Sequence, residues 1–125
     1  MRTSRQISVP RGNVNSYLKA MDQIRERLGK GEIVHVFPEM TRCPLNFKGV
    51  QKFSIAPFQA AWLEKVQILP IAISGTDMAW PKGVFGIFFR KPITVKTLDL
   101  VNSESYTNAK DLKDDIQKRI ESAIL

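Results

Sequence analysis

Reactive side chains first gather at Phe37-Pro38-Glu39-Met40-Thr41-Arg42, where an apolar run ends in proline and at once presents a carboxylate, a hydroxyl and a guanidinium. A guanidinium forks onto phosphate or carboxylate oxygens through two parallel hydrogen bonds, which suits Arg42 to an anionic ligand. Glu39 and Thr41 share its loop. The same spacing equally reads as a Glu39 to Arg42 ion pair bracing a surface loop, an arrangement that contributes little stability. A second set of hydroxyls, Ser74-Gly75-Thr76, also directly follows an apolar run. Ligands of open α/β sheets bind outside the carboxyl ends of the strands, so two adjacent strand ends of this kind make one mouth.

The elements that must position these groups show as periodicities. Val14, Tyr17, Leu18, Met21, Ile24 and Leu28 recur at three- and four-residue spacing, a helix closed by Gly29 and Gly31. Ile33-Val34-His35-Val36-Phe37 reads as a short buried strand stopped by Pro38, which has no amide hydrogen for a ladder. Residues 38–51 read as a long loop. A helix is expected over 55–65 with Ser54 as N-cap and Pro57 in its first turn. A second apolar strand over 66–73 runs into the turn at Ser74-Gly75-Thr76-Asp77. Further strands are expected at 84–89 and 93–98. The last helix has Asn108 as cap, Asp111 three residues on, and Leu112, Ile116, Ile120, Ala123 and Ile124 as its inner stripe. Apolar strands alternating with helices predict an α/β fold, a mixed and largely parallel sheet with flanking helices.

Length and charge bound the rest. The 125 residues suit one domain at about 150 residues per domain, and 43% apolar with 25% charged residues describes a packed chain. The single cysteine, Cys43, forms no internal bridge and suits a reducing compartment. The longest apolar run, Ile68-Leu69-Pro70-Ile71-Ala72-Ile73, falls far short of the roughly 20 residues that span a bilayer. No signal peptide is expected from the first residues, which carry charge without a following apolar stretch. A net charge of +7 favours anionic partners: phosphorylated small molecules, an anionic membrane surface or nucleic acid.

At this point the residues resemble a known family, the glycerolipid acyltransferases typified by 1-acylglycerol-3-phosphate (lysophosphatidate) acyltransferase. Phe37-Pro38-Glu39-Met40-Thr41-Arg42-Cys43 is similar to that family's third block, commonly F-P-E-G-T-R-S. Phe47-Lys48-Gly49 and the segment from Ile68 to Thr76 are similar to its downstream region and fourth block. The resemblance implies acyl transfer from acyl-CoA or acyl carrier protein to the hydroxyl of a phosphorylated lysolipid acceptor, with no bound cofactor or metal. It implies that Arg42 binds the acceptor phosphate, that Glu39, with Thr41 beside it, supports or positions the acceptor, and that Pro70 shapes the site. It also implies a cytoplasmic protein, peripheral at an anionic membrane surface.

Three departures carry consequences. Met40 replaces glycine, so the tight turn that glycine allows is expected to be remodelled. Gln67 stands where proline is frequent. The family's first block, a histidine followed after four residues by aspartate, supplies its general base, and this chain has one histidine, His35, with Met40 five positions on. His35 is expected as an interior strand residue, and as a base only if exposed. Arg2 and Arg5 read as remnants of the second block. The chain therefore resembles a single partial domain over 1–125, holding the acceptor-binding blocks without the proton-transfer pair and inactive alone.

Competing readings are a basic nucleic-acid-binding module and a peripheral membrane adaptor. The basic residues are scattered and accompany no aromatic-rich recognition motif, which weighs against nucleic acid. Lys91, Lys96, Lys110, Lys113, Lys118 and Arg119 read as a solvated face, and Phe53, Phe58, Phe85, Phe88 and Phe89 with Trp62 as core. Trp80, in a loop, is the aromatic placed for an interface. Cys43 has no partner placed to activate it as a nucleophile.

Overall fold

The computed structural model describes residues 6–7, 13–41, 44, 47, 49–79 and 92–124. The first helix, α1, runs Val14–Gly29 and starts where Asn13, in extended conformation, accepts the Ser16 amide on its side-chain oxygen. Gly31, at φ 79°, follows its end as expected. The second, α2, runs Ala56–Leu63 and is apolar almost all round, with Ala56, Phe58, Ala60 and Ala61 buried, as a helix covered on several sides must be.

Ser54 does not cap α2. Ile55 holds that position without a side-chain bond, and the Ser54 amide instead donates to Pro38 O at 2.8 Å. Proline inside the first turn leaves fewer orphan donors for a cap to satisfy. The far end of α2 turns on Lys65, left-handed at φ 55°, with the Val66 amide reaching back to Ala61 O at 3.2 Å, the six-to-one bond of a Schellman closure.

The apolar run after α2 is two strands, not one. The first, β1 (Gln67–Ile68), and the second, β2 (Ile71–Ser74), are separated at Leu69 and Pro70, because proline supplies no ladder donor. Pro70 is buried, and its carbonyl accepts the Leu98 amide at 3.0 Å. A four-residue helix, α3 (Thr76–Ala79), leaves β2; β3 (Thr94–Thr97) and β4 (Val101–Asn102) follow.

Both ladders are antiparallel, β1 with β4 and β2 with β3, in the register Ile71 to Thr97 and Ser74 to Thr94. This corrects the expected largely parallel sheet among the described residues. Alternating apolar runs and helices mark elements but not strand direction, and each described pair here is antiparallel. Residues 32–37 form no described strand: exposure alternates along an extended segment, with Ile33 98% and Phe37 65% exposed. The expected strand at 84–89 lies outside the described residues, as does Trp80.

The last helix, α4 (Ala109–Ala123), follows a 3-10 turn at Ser103–Ser105. Its cap matches expectation: Asn108 Oδ1 accepts the Asp111 amide at 2.8 Å while Asn108 Nδ2 donates to Asp111 Oδ2 at 3.2 Å. Leu112, Ile116 and Ile120 are buried against Phe53, Phe58, Ala72 and Val101, forming the core. Lys113 departs from the expected solvated face: its side chain is 12% exposed, with Nζ 3.0 Å from Asp114 Oδ1.

Ser103 latches this core together. Fully buried, its hydroxyl lies 2.6 Å from Val66 O and 3.1 Å from Ala61 O, sharing its one proton between two carbonyls at the closure of α2. Trp62 Nε1 donates to Tyr106 O at 2.9 Å alongside. The Ser103→Ala variant is expected to lose about 0.5–1.5 kcal/mol, the net worth of one hydrogen bond, because Ala61 O keeps the Val66 amide and Val66 O keeps the Ser103 amide; urea denaturation measures it.

Tyr106 donates its hydroxyl to Asp115, which also receives Arg119 Nε at 3.0 Å. Partial burial first, and the neighbouring carboxylate second, push the phenol above its ordinary value of 10.0. A raised folded value means that the interaction stabilises below about pH 10 and that its contribution fades as pH climbs through the folded value. Ultraviolet titration should show Tyr106, assigned with Tyr106→Phe, ionising above pH 10, and Asp115→Asn should bring the transition back toward 10.

Candidate functional site

The turn that begins the site is built from Phe37 to Met40. Pro38 and Glu39 occupy its corner, and the Met40 amide closes it onto Phe37 O at 3.1 Å. Met40 then takes φ 61°, the left-handed conformation that glycine adopts without a Cβ penalty. The expected remodelling does not occur: the turn keeps a glycine-type backbone and methionine bears the strain, on the order of 1–2 kcal/mol. The residue is 45% exposed.

Glu39 is half-buried, and its Oε2 accepts the Gln51 main-chain amide at 2.7 Å. That contact joins the outgoing and returning arms of the loop. Thr41 is half-buried just beyond the turn. Arg42 and Cys43 lie outside the described residues, as do Arg2 and Arg5, so the Glu39 to Arg42 ion pair does too.

The returning arm is fixed independently. Phe53 is 4% exposed and stacks on Phe58 with ring centroids 5.9 Å apart. Its amide donates to Gln117 Oε1 on α4 at 3.3 Å. This anchoring, through Gln51, Phe53 and Gln117, was not anticipated from the sequence. Phe53 carried a core signal, but backbone bonds across 12 and 64 residues leave no local pattern.

His35 is exposed, correcting its expected interior place, and its ring packs tilted against Phe37 with centroids 4.8 Å apart. It is reachable by solvent, but it does not sit in a described strand. Pro70 is placed by its bond to Leu98, between β1 and β2. The described ladders do not join residues 32–37 to β2, whose partner is β3, so the expected mouth of adjacent strand ends is not formed by those ladders.

The end of β2 is nevertheless tightly built. Gly75 has φ 95°, and a Cβ there would come within 2.5 Å of Pro92 O, so only glycine allows that approach. Ser74 and Asp77 are buried on either side, and Asp77 Oδ2 is a buried oxygen without a hydrogen-bond partner among the described residues. No helix among the described residues is long and apolar enough to cross a membrane.

The left-handed turn sets a mutational signature at Met40. Met40→Gly should leave stability unchanged or raise it by up to about 1 kcal/mol, whereas Met40→Val, branched at Cβ, should cost about 1–3 kcal/mol. Thermal unfolding of the two variants beside the wild type measures the contrast.

An acyltransferase family model matches residues 1–74, more than half of the chain and inclusive of the Phe37 to Arg42 block. Among solved structures, the chain is similar to the 1-acyl-sn-glycerophosphate acyltransferase PlsC from Thermotoga maritima, at 26% identity and a TM-score of 0.75. That similarity covers 84% of this chain and 42% of the Thermotoga protein, so the chain spans less than half of that relative's length. No curated protein matches it. With the family model covering residues 1–74 of 125, the chain belongs to the acyltransferase family.

Proposed function

We propose that this chain carries the acceptor-binding part of an acyltransferase of phospholipid biosynthesis, acting on a lysophosphatidate-like acceptor. The observation that carries the reading is the family match over residues 1–74, which contains Glu39, Thr41, Arg42 and Pro70. The named activity of the Thermotoga PlsC supports the choice of acceptor.

In this reading the acceptor hydroxyl oxygen attacks the carbonyl carbon of an acyl thioester, from acyl-CoA or acyl carrier protein. The ester bond forms, the carbon–sulfur bond breaks, and the thiolate leaves as the hydroxyl gives up its proton. Arg42 holds the acceptor phosphate through paired N–H donors, Thr41 lies beside it in sequence, and Pro70 shapes the neighbouring segment. The net charge of +7 draws both the anionic acceptor and an anionic bilayer, which favours a place at a membrane surface, and the unbridged Cys43 suits the cytoplasm.

The proton acceptor is not supplied by a histidine and aspartate five positions apart, because the one histidine, His35, is followed at that distance by Met40. We therefore assign the chain as a single partial domain that binds acceptor and is inactive alone. Loss of a positioned general base lowers the rate on the order of 10²- to 10⁴-fold.

Titration with lysophosphatidate tests the assignment. Wild-type protein should bind, and Arg42→Ala should bind at least about tenfold more weakly, the worth of a charge-assisted phosphate contact. Equal affinities would remove Arg42 from the phosphate site.

A further inference from the structure

The loop from Met40 to Val50 departs from the folded body at Pro38 and Glu39 and returns at Gln51 to Ser54. Two hydrogen bonds bring these arms together: the Gln51 amide to Glu39 Oε2 at 2.7 Å, and the Ser54 amide to Pro38 O at 2.8 Å. The returning arm cannot drift, because Phe53 is buried against Phe58 and its amide is held by Gln117 of α4. On the outgoing arm Phe37 is 65% exposed, residues 32–37 belong to no described ladder, and the Met40 amide closes the turn onto Phe37 O. The bonds from Pro38 and Glu39 tie this turn to the anchored arm.

We propose that Glu39 is a positioning residue that closes the neck of this loop through the Gln51 main chain, and that it does not contact the acceptor. One carboxylate oxygen, Oε2, is engaged by a backbone amide at a short, charge-assisted distance. Gln117 belongs to the same chain of contacts, and it links the loop to the inner helix α4. Acceptor affinity thus depends on a main-chain clasp whose chemistry needs an accepting oxygen, not a negative charge.

That distinction is testable with two variants. Glu39→Gln keeps a carbonyl oxygen able to accept from Gln51, and Glu39→Ala keeps none. Hydrogen exchange at the Gln51 amide reads the clasp directly, with the Leu112 amide as a control for the fold. Glu39→Ala should accelerate Gln51 exchange about tenfold or more while Leu112 keeps its protection, and Glu39→Gln should stay within about threefold of wild type. Only the second readout rests on the function proposed above: lysophosphatidate affinity should fall at least about tenfold in Glu39→Ala and be restored in Glu39→Gln. Unchanged Gln51 exchange in Glu39→Ala overturns the clasp. Loss of affinity in Glu39→Gln with Gln51 still protected also overturns the proposal, since it places the charge on the acceptor. If the wild type binds no lysophosphatidate, the functional reading fails while Gln51 exchange still decides the clasp.

Discussion

Burial of the α4 stripe against Phe53 and Phe58 is the constraint from which the remaining geometry follows. Leu112 and Ile116 are almost wholly inaccessible, and they meet residues from the returning arm of the loop, α2, β2 and β4 in one cluster. Each fully buried aliphatic or aromatic side chain contributes about 1.5–3 kcal/mol relative to exposure. Because Phe53 is a member of that cluster, the segment 51–54 is placed by the core and not by the loop it terminates. Two polar bonds, from the Gln51 and Ser54 amides, then tie Glu39 and Pro38 to this core-placed segment.

Those polar bonds follow a consistent logic. A proline at position 38 ends the extended segment, a left-handed residue at 40 reverses it, and a carboxylate between them spans to the opposite arm. Methionine in a glycine conformation is strained, and such strain persists only where neighbouring contacts over-determine the backbone. Here the over-determination comes from three backbone amides, those of Met40, Gln51 and Ser54, each with an acceptor on the turn. The strained position and the clasp coincide within the segment that the family model matches.

The end of β2 is built on a different balance. Gly75 permits contact with Pro92 that any Cβ would block, and Ser103 supplies a buried hydroxyl to the closure of α2. Against these satisfied groups, Asp77 has one buried oxygen without a partner among the described residues. Short antiparallel ladders with partly exposed faces, such as Ile71 and Val95 on β2 and β3, leave apolar surface that the described core does not cover.

Local rules were legible in the residues. The spacing of Val14 to Leu28 and of Leu112 to Ile120 marks two helices, and Asn108 with Asp111 marks the start of one, because helix periodicity and capping are short-range properties. The block from Phe37 to Arg42 carried the family resemblance by residue type and spacing, and it lies within the segment that the family model matches. Strand direction, the break at Pro70, the exposure of His35 and the clasp from Glu39 to Gln51 were decided by tertiary structure. Each depends on which distant segment lies alongside, and period-two alternation or a lone carboxylate is the same in sequence whichever partner it meets.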